Sequence, residues 1–155
     1  MNEPMKESER PPSAVSPSPR RVLFLCIYNS ARSQIAEGVA RRLAPPGVEI
    51  WSAGGRPAEI NPLAIQVLEE IGIDPSRQRS KRIDEVPWRE VDTVVTLCEE
   101  GEIECPVFPA SARRLYWPMP DPYLAPPERR LEAFRATRDA LLRRIASLWP
   151  ERSRD

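Results

Sequence analysis

Val22-Leu23-Phe24-Leu25-Cys26-Ile27-Tyr28-Asn29-Ser30-Ala31-Arg32-Ser33 is the stretch on which the fold turns: an apolar run that ends in a C-x5-R-S loop. Arg21–Cys26 has the length and apolarity of a strand covered on both faces. Residues 33–43 follow as a helix, with Ile35, Ala36, Val39, Ala40 and Leu43 on one stripe of a 3.6-residue period. A loop between strand and helix, with Cys26 at one end and Arg32 at the other, suits a tetrahedral oxyanion. The helix N-terminus turns its unpaired N–H groups and the positive end of its dipole toward the same point. A thiol there is expected to ionise below its free pKa of about 8.5. The anion-binding loop is therefore read as Ile27, Tyr28, Asn29, Ser30, Ala31, Arg32 and Ser33, with Cys26 as the nucleophile. Arg32 can fork two N–H bonds onto two oxygens, which a lysine cannot. Ser33 either donates to the Cys26 sulfur or caps the helix, and Asn29 suits a left-handed backbone conformation.

Outward from this loop the chain alternates strands and helices. Residues 48–53 read as a second strand, closed by Gly54-Gly55. Asn61-Pro62 opens a helix with a capping side chain followed by proline at the first helical position, and Gly72 is its stop. Residues 91–97 form a third strand running into Cys98, residues 113–117 a weaker one, and residues 127–148 the last helix. The pattern predicts one α/β domain with a small, open, parallel four-stranded sheet flanked by helices. Ligands bind such sheets outside the carboxyl ends of the strands. Cys26 and Cys98 would both emerge there.

The chain has 155 residues, enough for one such domain. Residues 1–20 are rich in Pro, Ser and charge and read as a disordered tail; residues 21–149 form the single catalytic domain, and 150–155 a short C-terminal tail. Lys plus Arg balances Asp plus Glu at 23 each, so no broad basic field argues for nucleic acid. No apolar run approaches the roughly 20 residues of a membrane helix, and no export signal is evident, which points to a cytoplasmic protein. Histidine is absent, which excludes Ser–His–Asp and Cys–His schemes.

Acid–base work must then fall to another group. Asp121, held between prolines in W-P-M-P-D-P at 117–122, is the candidate general acid. Cys98 and Cys105 are separated by six residues, four of them acidic. Two thiols at that spacing with no His make a poor zinc site, so no metal is expected. A cytosolic structural disulfide is disfavoured. A thiol relay is left, in which one of the two attacks Cys26 and the other resolves it.

These residues resemble the thioredoxin-coupled arsenate reductases, the redox branch of the low-molecular-weight protein tyrosine phosphatase fold, with its flavodoxin-like architecture. The resemblance runs from Arg21 to about Leu148. It rests on L-F-L-C-I-Y-N-S-A-R-S-Q-I-A-E-G at 23–38, W-S-A-G at 51–54, N-P-x-A-I at 61–65, G-I-D-x-S at 72–76, V-V-T-L-C at 94–98, E-C-P at 104–106 and W-P-M-P-D-P at 117–122. It implies that Cys26 attacks arsenate, Asp121 protonates the departing hydroxide, and Cys98 attacks the adduct's sulfur to release arsenite. Cys105 then moves the disulfide to Cys98–Cys105, where thioredoxin, fed ultimately by NADPH, reduces it. It also implies no bound cofactor, phosphate and sulfate as competing anions, and a monomer.

Two departures are visible. Tyr28 stands where some relatives carry a small residue. Some members also hold potassium beside the loop through an Asn, a Glu, a Ser and an Asp; Asn29, Glu37 and Ser52 match, but Lys81 stands at the Asp position and its ammonium would take the ion's place. Two other functions share parts of the pattern. A phosphatase acting on phosphate monoesters would use Cys26, Arg32 and Asp121 but leave Cys98 and Cys105 without a task. A non-catalytic arsenite or anion sensor would leave Asp121 without one.

Overall fold

The computed structural model describes residues 18–99 and 108–150. Cys105 lies outside them, as do residues 100–104. Four strands, β1 (Arg21–Cys26), β2 (Glu49–Gly54), β3 (Thr93–Thr96) and β4 (Arg113–Tyr116), form one sheet in the order β2-β1-β3-β4. Every pairing is parallel, with Leu25 opposite Ala53 on one side and Thr96 on the other. The α-helices are α1 (Arg32–Leu43), α2 (Pro62–Glu69) and α3 (Arg130–Ala146).

Residue alternation along β1 explains its continuous apolarity, because successive side chains point to opposite faces. Val22 and Phe24 enter the core built with Ile35, Val39, Val67, Leu68, Phe134, Leu141 and Ile145 of the three helices. Leu23 and Leu25 face the other way, into a smaller cluster with Ile83, Val86, Val91 and Phe108. Among the described residues, that second face is covered by loops and a short 3-10 helix (Ile83–Glu85) rather than by α-helices. The three helices pack on one another: Glu70, the C-cap of α2, takes Arg135 at 2.5 Å and Arg138 at 2.7 Å from α3.

The expected starts hold where capping chemistry decides them. The Asn61 side chain accepts from the Leu63 amide at 2.9 Å, with Pro62 at the first helical position. Gly72 has φ 79°, the left-handed conformation that ends the turn. Residues 127–148 are not one helix. Pro127–Arg129 form a 3-10 helix, and the φ −115°, ψ 1° backbone of Arg129 separates it from α3.

Strand order puts the switch point between β1 and β3, since β1 is followed outward by β2 and β3 by β4. Cys26 ends β1 and Cys98 lies two residues past β3, so they leave neighbouring central strands at the same edge.

Candidate active site

The loop after β1 is built by its carbonyls. Those of Ile27, Tyr28 and Ser30 accept from the amides of Arg56 (2.9 Å), Ala58 (3.0 Å) and Asn61 (2.9 Å), all on the segment that follows β2. A planar peptide sets each carbonyl opposite the next amide. Drawing three carbonyls outward therefore turns the amides of Tyr28, Asn29 and Ala31 inward, as an oxyanion seat needs. Asn29 provides the bend, with φ 48°.

Asn29 is also the hub beneath the loop. Its Oδ1 accepts from the Lys81 amide (2.8 Å) and from Gln34 Nε2 (2.9 Å), which fixes its amide as the donor end. Asn29 Nδ2 donates to Ser33 Oγ at 2.7 Å and to Ser52 Oγ at 2.9 Å. The Ser33 hydroxyl lies 2.8 Å from Cys26 Sγ, and to the ionised sulfur, which has no proton to give, it can only donate. Of the two roles open to Ser33, the geometry selects the one toward sulfur, because the helix has no side-chain cap.

Cys26 is buried, which alone pushes a thiol up. Hydrogen bonds from the Cys98 side chain and from the Ser33 hydroxyl and amide, with Arg32 nearby, outweigh burial and bring its pKa to about 6. The expected acidity is present, but its main source is hydrogen bonding, with the arginine a lesser contributor. Arg32 is itself buried, and its Nη1 donates to the Met119 carbonyl at 2.9 Å. That bond ties the anion loop to the Pro-rich segment carrying Asp121. Asp121 accepts from the Tyr123 amide at 3.0 Å through Oδ1.

Cys26, Tyr28, Arg32 and Asp121 line one cleft of about 580 Å3, together with Asn61, Tyr123 and Leu124. Of the residues expected in the site, Cys26, Arg32, Cys98, Asp121 and the whole loop from Ile27 to Ser33 are brought together at this edge. Cys105 lies outside the described residues. Gln34, Gln78 and the Met119 carbonyl escaped the sequence reading. Gln34 Nε2 binds Asn29 and the Arg79 carbonyl, and Gln78 holds Gln34 from a distant loop. A buried amide contacting a loop 45 residues away leaves no local pattern.

Residues 21–154 match the family described as low molecular weight phosphotyrosine protein phosphatase. The chain belongs to that family. Among its relatives in the family is an arsenate reductase of Halalkalibacterium halodurans, 38% identical over 126 residues that cover 80% of this chain and 91% of the relative. An arsenate reductase of Staphylococcus aureus is 36% identical over 103 residues, 66% of this chain and 79% of that one. A solved structure of an arsenate reductase in the oxidised state superposes with a TM-score of 0.74 at 32% identity, covering 86% of this chain and 98% of its own. A thioredoxin-dependent arsenate reductase of Corynebacterium glutamicum superposes at 0.66 and 32% identity, over 91% of this chain and 65% of that one.

The low-molecular-weight phosphatase loop of this chain departs from the resemblance at its cation position. Asn29, Glu37 and Ser52 do converge: Ser52 Oγ donates to Glu37 Oε1 at 2.5 Å. The fourth position holds the Lys81 ammonium, 3.4 Å from Glu37 Oε1 and 2.6 Å from the Arg79 carbonyl. A hard cation needs acceptor oxygens, and a cationic donor in their midst does not fit a bound potassium ion.

Proposed function

We propose that this protein is an arsenate reductase that works through a three-cysteine relay, with thioredoxin as its reductant. The observation that carries the reading is that Cys26 and Cys98, both buried, leave the paired strands β1 and β3 at the same edge of the sheet, with the Cys98 side chain hydrogen-bonded to the Cys26 sulfur. A phosphatase needs only the first cysteine, because water cleaves a phosphocysteine. A reductase needs a second thiol within reach of the first.

The chemistry follows from the groups at the edge. Arg32 and the loop amides hold arsenate oxygens while the Cys26 thiolate attacks arsenic, and Asp121 gives a proton to the departing hydroxide, which leaves as water. Cys98 attacks the sulfur of the Cys26–arsenic adduct. The As–S electron pair stays on arsenic, which leaves as arsenite, and a Cys26–Cys98 disulfide forms. Cys105 attacks Cys98, frees Cys26 and leaves a Cys98–Cys105 disulfide. Two electrons from a thioredoxin dithiol reduce it, and NADPH restores the thioredoxin. The relatives' names support arsenate as substrate, and one of them supports thioredoxin as partner.

NADPH consumption driven by arsenate, in the presence of thioredoxin and thioredoxin reductase, tests the reading. The wild type is expected to turn over, and Cys105→Ser to stop after at most one turnover. Brisk hydrolysis of an aryl phosphate with no arsenate-driven consumption would overturn it in favour of a phosphatase.

A further inference from the structure

We propose that Lys81 is a positioning residue for the Cys26 nucleophile: its ammonium neutralises the Glu37 carboxylate buried under the anion loop, so that this carboxylate can orient the network without opposing a thiolate and an oxyanion. The inference rests on Cys26 being the nucleophile of the proposed reaction.

Glu37 lies on α1 with its side chain only 3% exposed, beneath a loop meant for negative charge. Like charges there disfavour both the thiolate and the bound anion. Its use is orientational. By accepting the Ser52 proton, Glu37 turns the Ser52 oxygen toward Asn29 Nδ2, whose other proton holds Ser33 against Cys26. A neutral acceptor could do the same, but this chain uses a carboxylate and supplies a cation to meet it.

Lys81 touches the network at two points. Its amide donates to Asn29 Oδ1 at 2.8 Å, and its carbonyl accepts from the Gly54 amide at 2.9 Å. Its ammonium, with the side chain 10% exposed, reaches Glu37 Oε1. Arg41 takes the other carboxylate oxygen at 3.2 Å, but that side chain is 55% exposed and shares its charge with water. The charged groups facing Lys81 are thus Glu37 and Arg41 from α1 and Arg79 from its own segment; those facing Cys26 are Arg32 and the Cys98 thiol. Burial pulls the lysine below its ordinary range, and Glu37 pulls it back. Because the backbone contacts are separate from the ammonium, Lys81→Met removes the charge and leaves the hydrogen bond to Asn29 in place.

The test is the pH dependence of Cys26 alkylation by iodoacetamide, which requires no arsenate and stays informative if the reductase reading fails. It is run in the Cys98→Ser/Cys105→Ser background, so that only one thiol reports. Lys81→Met is expected to raise the Cys26 midpoint by about one pH unit, which is about tenfold slower alkylation on the acid side. Adding Glu37→Gln, which keeps an acceptor for Ser52 but removes the charge, is expected to return it, and Lys81→Arg to keep it. A folded Lys81→Met protein with an unshifted midpoint overturns the proposal. Should Lys81→Met fail to fold, Glu37→Gln alone decides: it leaves the Lys81 ammonium unopposed, so a lowered Cys26 midpoint upholds the proposal and an unshifted or raised one overturns it.

Discussion

Cys26 is acidic although it is buried, because three hydrogen bonds point at its sulfur. With a pKa about 6, it is roughly nine-tenths thiolate at pH 7. The sign is that of a lowered acid: reactivity is full above the midpoint and falls about tenfold per unit below it. Alkylation of the otherwise native protein is expected to be half-maximal near pH 6. Replacing Cys98 by Ala removes the leading hydrogen bond and is expected to move that midpoint upward. An unchanged midpoint would separate Cys98 from the nucleophile and weaken the relay.

At the scale of the element, the end of β2 decides whether the loop after β1 can close. A Cβ on Gly54 would lie 2.7 Å from the Cys26 and Ile27 carbonyl oxygens and 2.8 Å from the Asn29 nitrogen. All three are backbone atoms, so nothing flexible can give way. Gly54→Ala is expected to cost about 1–3 kcal/mol and to lower arsenate turnover, read by thermal melting and the coupled assay. From the sequence, Gly54-Gly55 reads as a strand terminator; that the first glycine is needed for the approach of a second strand's loop depends on which strands are neighbours. Helix starts are easier to read. Asn61-Pro62 declares α2 because its capping chemistry is local, whereas β3 proves shorter than its apolar run. Val91 and Leu97 are buried but lie outside the ladder of Thr93–Thr96. Apolarity reports burial, and ladder length depends on the partners.

Across the whole molecule, the two ends of the described chain are joined under the helical core. Trp149 is 1% exposed, and its Nε1 donates to the Pro19 carbonyl at 2.9 Å. The amides of Arg20 and Arg21 reach Asp92 beside β3. Pro19 and Arg20, whose composition reads as tail, are thus bonded to the body. Trp149→Phe is expected to leave the Pro19 carbonyl unsatisfied and to cost about 1–2 kcal/mol, or roughly 3–6 °C in the melting midpoint. Cys26 alkylation should not change, since the two sites lie at opposite ends of β1.

What the sequence determined by itself is what short-range chemistry encodes: the strand before Cys26, the helix after Arg32, the cap at Asn61, the rigid setting of Asp121 and the parallel order of alternating elements. Each follows from residues within one or two turns of one another. The tertiary structure alone decided that Ser33 serves the sulfur instead of the helix end, that Met119 holds Arg32 and that Gln78 holds Gln34 beneath the loop. The meetings of Cys98 with Cys26 and of Lys81 with Glu37 were expected from strand order and from the resemblance, and the structure supplies their contacts. These contacts join residues that only sheet order and packing bring together, and a buried polar group finds its partner through the fold rather than through spacing along the chain.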